Sequence, residues 1–257
     1  MFYAGIAFWS VLGLFMGSFF LVVATRLSEE RSIVKPRSHC DNCKKTLTFK
    51  DLMPLISYLF SRGKCRYCQS EIGGLYPLIE ICTGLLFAIN YILFFNEPMA
   101  FIIGLVIASL IIIICVSDFK YLIIPDQVLI AAVVIIVFTR IYFEGIIGMF
   151  PYLAAGVIAF IAMLLIKLAG DFIFKKESMG GADIKLMFVS GLILGLFPSI
   201  MVIFLASILA LPVAIMLYYK SNNNVLAFGP FITLAIYLLF IFAEQFDALT
   251  RYFFIWY

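Results

Sequence analysis

Two aspartates stand out in a chain with few charges. Asp183 lies in Met179-Gly180-Gly181-Ala182-Asp183-Ile184-Lys185, behind two glycines and ahead of an apolar run. Asp118 lies 65 residues earlier, in Ser117-Asp118-Phe119-Lys120-Tyr121-Leu122-Ile123-Ile124-Pro125-Asp126, after nineteen uncharged residues, 99–117. Ionisable residues in membrane segments are functional candidates, because a charge there is costly to keep. Two carboxylates sharing a site push their proton affinities apart, so that one ionises while the other keeps a proton. The ionised group can activate water, and the protonated one can hydrogen-bond a scissile carbonyl. That is aspartic protease chemistry and needs no metal. A proton or ion relay in a transporter would use the same two groups, and spacing alone leaves both readings open. Gly180 and Gly181 let a backbone or an extended peptide come close to Asp183.

The cysteines form a second constellation. Cys40-x2-Cys43 is followed, after 21 residues, by Cys65-x2-Cys68. Each pair can present two thiolates to one ion, and two pairs close the tetrahedron of a four-cysteine zinc site. Basic neighbours favour the thiolate forms. Disulfides or free thiols are the alternative, but a reducing cytoplasm disfavours structural disulfides. The segment 26–76 has few large apolar residues, so metal binding would supply folding energy that a small core cannot. His39 is adjacent but not required, and reads as a surface histidine. Cys82 and Cys115 lie in apolar runs and read as small fillers.

The elements that must position these groups are membrane helices. The chain has 257 residues, of which 65% are hydrophobic and 13% charged. A soluble domain has about 45–50% apolar and about 25% charged residues. Apolar runs of roughly 20 residues read as spans: 2–25, 77–95, 99–117, 127–143, 146–166, 184–197, 199–219 and 225–243. The fourth meets Arg140 and the sixth is short. The expected fold is all-α, a polytopic membrane protein of about eight transmembrane helices, with a cytoplasmic four-cysteine zinc-binding module after the first helix. The expected divisions are 1–25 (first helix), 26–76 (zinc module) and 77–257 (helical protease core). The first run lacks the basic n-region of a signal peptide and reads as a retained helix.

Orientation follows from Lys and Arg. The loop 26–76 holds ten of them, and with eight spans the loops on its side add Lys120, Lys167, Lys175, Lys176, Lys185 and Lys220, leaving Arg140 and Arg251 on the other side. Loop 26–76 is therefore expected in the cytoplasm with both termini outside. Asp118 and Asp183 then fall at helix ends on the cytoplasmic side, where water can reach. Other carboxylates have plainer readings. Asp126, after Pro125, caps a helix. Glu80 suits a helix N-terminus. Asp171 and Glu177 are solvated charges near Lys167, Lys175 and Lys176.

Several motifs, in order, resemble the type IV prepilin peptidases, a group of GxGD intramembrane aspartyl proteases. They are Gly17-Ser18-Phe19 with Arg26-Leu27, the two cysteine knuckles, Tyr76-Pro77-Leu78-Ile79-Glu80, Asp118 with Ile124-Pro125-Asp126, Gly180-Gly181-Ala182-Asp183-Ile184-Lys185, and Phe228-Gly229-Pro230-Phe231. The resemblance implies an endopeptidase that removes prepilin leader peptides on the cytoplasmic side, after a glycine at the edge of the pilin's apolar helix. It makes Asp118 and Asp183 the catalytic pair and Cys40, Cys43, Cys65 and Cys68 the zinc ligands. It also implies N-methylation of the new N-terminus using S-adenosylmethionine, although no glycine-rich nucleotide fingerprint is visible. The implied partners are prepilins or pilin-like precursors and the lipid bilayer of the cell membrane, not nucleic acid. Two positions depart from the pattern: Ala182 replaces a glycine, and Leu21 stands where Asn is often found.

Overall fold

The structure, a computed structural model, describes residues 2–175, 179–220 and 226–242. Lys176, Glu177, Arg251 and the outermost residues of the run 225–243 lie outside them. The described chain is helical. Among the described residues the only β pairing is two isolated bridges in the cysteine segment. Among the described residues five helices are long and apolar enough to cross a membrane, so the protein is a multi-pass membrane protein. Backbone in lipid must satisfy its own hydrogen bonds, which helices do. The chain divides into two compact units, Met1–Phe101 and Ile102–Tyr257.

The first unit is built on α1 (Phe2–Ser28) packed against α3 (Leu75–Phe94), with the short α2 (Ile56–Phe60) in the segment between them. Gly13 and Gly17 make the crossing. A Cβ on Gly13 would sit 2.8 Å from the Gly84 Cα, and one on Gly17 would sit 2.9 Å from the Glu80 Cα. Lipid supplies no hydrophobic drive between helices, so close backbone approach at small residues carries the association. At the far end of α3, Asn90 is buried and donates to the Phe101 carbonyl at 2.9 Å.

The second unit contains most of α4 (Pro98–Tyr121), then α5 (Asp126–Phe174), α6 (Gly181–Leu194), α7 (Leu196–Lys220) and α8 (Gly229–Ile241). A straight helix of 49 residues would run about 74 Å, far beyond a hydrocarbon core of about 30 Å. Gly145 breaks it, at φ 77° and ψ 172°. The segments 126–144 and 146–174 then line one groove together with α6, which places them side by side. The break falls between the expected spans 127–143 and 146–166. The short run expected over 184–197 is a helix of that length, set three residues earlier: α6 has 14 residues and stops at Gly195, whose φ is +82°. At about 21 Å it does not reach across the hydrocarbon. α6 crosses α5 where a Cβ on Gly191 would overlap the backbone of Gly156.

Candidate active site and metal centre

Asp118 sits near the C-terminal end of α4, and Asp183 is the third residue of α6. Both side chains are buried. Asp183 is close enough to Asp118 to feel its charge, so the structure brings the two predicted carboxylates into one site.

Local structure explains how the site holds them. Asp183 is in the first turn of α6, behind the N-cap Gly180. Its Oδ2 folds back to 3.6 Å from where a Cβ on Gly180 would lie. Asp118 Oδ2 accepts a hydrogen bond of 3.0 Å from the backbone N–H of Gly229, the first residue of α8. A Cβ at Gly229 would come within 3.0 Å of that same oxygen and 2.7 Å of Ile124 Cδ1. Glycine is thus the residue that lets the helix terminus approach. Pro230 follows it and has no N–H to leave unpaired at the helix start. Both carboxylates therefore face the N-terminus of a helix, where the dipole favours negative charge.

Asp126 differs from expectation. The N-cap of α5 is Pro125, and Asp126 is the first helical residue without a side-chain cap bond. Its two oxygens instead accept hydrogen bonds from Lys185 Nζ, at 2.7 and 2.8 Å. The pair ties the start of α5 to the start of α6, two residues beyond Asp183. The sequence shows both residues but not their pairing, because 59 positions separate them.

Arg140, which the charge distribution assigns to the outer side, serves the far end of α6. It is buried, donating from Nε to the Leu192 carbonyl at 2.8 Å and from Nη2 to the Ile193 carbonyl at 2.6 Å. Nη1 donates to Glu144 at 3.0 Å, and the guanidinium carbon lies 3.2 Å from the centre of the Tyr152 ring. The last carbonyls of a short helix have no partners of their own. Arg140 supplies them for α6.

Glu80 is likewise buried, and accepts from the backbone N–H of Leu55 at 2.8 Å. Its role is to tie the cysteine segment to α3.

The thiols of Cys40, Cys43, Cys65 and Cys68 form one cluster, with all four Sγ atoms within 4.8 Å of one another. The two knuckles repeat one backbone pattern. Cys40 N–H donates to the Lys45 carbonyl and Lys44 N–H to the Cys40 carbonyl; Cys65 N–H donates to Ser70 and Gln69 N–H to Cys65. Lys44 and Gln69 both take positive φ, 56° and 58°. Isolated bridges His39 to Thr46 and Lys64 to Glu71 close each knuckle.

Cys40 and Cys68 Sγ are 3.8 Å apart. Tetrahedral zinc with bonds of about 2.3 Å requires S···S separations of about 3.8 Å. The donor set and spacing therefore fit zinc. The Ser70 hydroxyl and backbone N–H hold the Cys68 thiol down to about 6. Backbone N–H groups of Cys43 and Asn42 lower Cys40. The Lys45 N–H favours the Cys43 thiolate, but burial and the neighbouring Cys68 and Cys40 sulfurs push it up to about 11. A divalent ion would relieve that repulsion. His39 is not in the cluster, and its Nδ1 meets the Arg37 carbonyl.

Comparison with known proteins gives the chain's family. Residues 11–94 match the bacterial peptidase A24 N-terminal domain, and residues 105–215 match the type IV leader peptidase family. A prepilin leader peptidase/N-methyltransferase of Bacillus subtilis is 34% identical over 191 residues, covering 72% of this chain and 72% of its own length. A type 4 prepilin-like proteins leader peptide-processing enzyme of Escherichia coli is 27% identical, covering 88% and 89%. A prepilin leader peptidase/N-methyltransferase of Neisseria gonorrhoeae is 27% identical, covering 90% and 88%. No solved structure matches the chain. Motif order, paired carboxylates and these matches agree: the chain belongs to the type IV leader peptidase family.

Proposed function

We propose that Asp118 and Asp183 are the catalytic pair of a prepilin leader peptidase acting on type IV prepilins or pilin-like precursors. The carrying observation is the Asp118 carboxylate, buried within electrostatic range of Asp183 and held by the Gly229 N–H. The pair shares one proton. The ionised carboxylate takes a proton from water as its oxygen attacks the scissile carbonyl carbon, and the protonated one hydrogen-bonds the carbonyl oxygen and passes its proton to it. The resulting diol collapses, the C–N bond breaks, and the leaving amine takes a proton from the pair. Helix termini at both carboxylates stabilise the negative charge that the step requires. A transporter with an aspartate relay is not supported, since the matches are to leader peptidases.

The Lys and Arg distribution supports an active site and cysteine module facing the cytoplasm. The relatives' names support a second activity, N-methylation of the new N-terminus with S-adenosylmethionine as donor. Zinc held by Cys40, Cys43, Cys65 and Cys68 would be structural, fixing the two knuckles to each other.

Purified full-length protein incubated with a prepilin tests the reading. Mass spectrometry of the new N-terminus reports cleavage and the added methyl together. Asp118→Asn and Asp183→Asn should each abolish cleavage while still binding substrate. Folded Asp118→Asn protein that cleaves at a rate near the parent's would refute the two-aspartate mechanism.

A further inference from the structure

The short helix α2 carries its apolar residues on the outside. Ile56, Leu59 and Phe60 fall at i, i+3 and i+4, on one helix face. They are 47%, 73% and 84% exposed, and Phe49 just upstream is 73% exposed. In a module bathed only by water this face would be unfavourable.

Its depth indicates what covers it. The N–H of Leu55, immediately before α2, donates to Glu80 Oε2. Glu80 is the sixth residue of α3, so this bond lies about 7–8 Å along the helix from its first residue. α3 is apolar from its start and is one of the helices long enough to cross a membrane. Leu55 holds φ at +56° there, a backbone state rare outside glycine. α2 therefore starts beside the second turn of a spanning helix. Lys50, Arg62 and Lys64, all exposed, flank it.

We propose that α2 and Phe49 form an interfacial membrane anchor. Ile56, Leu59 and Phe60 insert at the boundary of headgroups and acyl chains, while Lys50, Arg62 and Lys64 meet anionic phosphates. The occupant of the face is the bilayer that the chain itself crosses. The anchor would hold the cysteine module flat against the membrane. This inference rests on the membrane helices and not on the peptidase reading, and its test uses no catalytic readout.

The test uses full-length protein in vesicles of phosphatidylcholine and phosphatidylglycerol. Trp9→Phe and Trp256→Phe remove both native tryptophans, and Phe60→Trp adds a single probe. Its emission should shift to the blue and lose most of its intensity when the acyl chains are brominated. Arg37→Trp, in an exposed part of the same segment, should emit as in water and keep its intensity. Leu59→Trp should repeat the Phe60→Trp result if that variant folds poorly. Water-like, unquenched emission from both α2 probes would overturn the proposal. So would protection that appears only on adding prepilin, which would assign the face to the substrate.

Discussion

A carboxylate in an apolar fold persists where local donors hold it. For Asp118 that donor is a backbone amide, the Gly229 N–H at 3.0 Å. Such a donor leaves no side-chain signature, so the sequence reveals Gly229-Pro230 only as a motif, not as a partner of Asp118. The aspartates and cysteines themselves were legible because they are rare polar residues at regular spacings in an apolar chain. Asp126 was misread because a cap and an ion pair make the same residue choice at a helix start. Gly229→Ala probes the contact directly. Its methyl would press on Asp118 Oδ2 and Ile124 Cδ1, moving the carboxylate or the helix end. A displacement near 1 Å at a reacting group costs on the order of 10²-fold in rate. The expected outcome in a prepilin cleavage assay is a fall in kcat of that order with KM and metal content little changed. Unchanged kcat would show that the amide does not position Asp118.

At the scale of elements, the short α6 is the informative piece. It carries Asp183 at one end and ends at Gly195 after 14 residues. Its depth is set by its two termini, because a helix this short could slide along its neighbours. Lys185 to Asp126 pins the first end; the Arg140, Glu144 and Tyr152 cluster pins the other. The first pair is half-exposed, and such pairs contribute about 0–1 kcal/mol. Arg140 is buried, and removing one partner of a buried charged network costs about 3–5 kcal/mol. Arg140→Met should therefore lower unfolding stability in detergent by about that much. Lys185→Met should change it by less than about 1 kcal/mol. Equal effects of the two substitutions would mean that Arg140 does not anchor α6. The Lys and Arg count placed Arg140 on the outer side but could not show this role. That count reads which side a charge occupies, not which carbonyls it reaches.

For the whole molecule, the cysteine cluster belongs to the unit Met1–Phe101, and both aspartates belong to the unit Ile102–Tyr257. In the sequence the knuckles precede the second apolar run and the aspartates follow it; the structure groups that run, as α3, with the knuckles. The apolar runs also part between 143 and 146 and leave the sixth run short, but they do not show the local cause, glycines at positive φ at positions 145 and 195. The separation has a consequence for metal removal. Water activation in the proposed mechanism uses a carboxylate and no zinc, so folded protein should keep cleaving prepilin after chelator treatment. Cys40→Ser should lose the metal, since three thiolates close the tetrahedron poorly. It should also loosen the segment around both knuckles, measured as faster hydrogen exchange at the amides of Lys44 and Gln69. N-methylation should fall more than cleavage, because neither of the proposed catalytic carboxylates lies in that unit. Both activities would be read from the same mass spectra of the product N-terminus. Equal loss of the two would show that the cysteine module organises the protease site as well. Full zinc content in a variant lacking Cys40, Cys43, Cys65 and Cys68 would instead show that the thiols do not hold the metal.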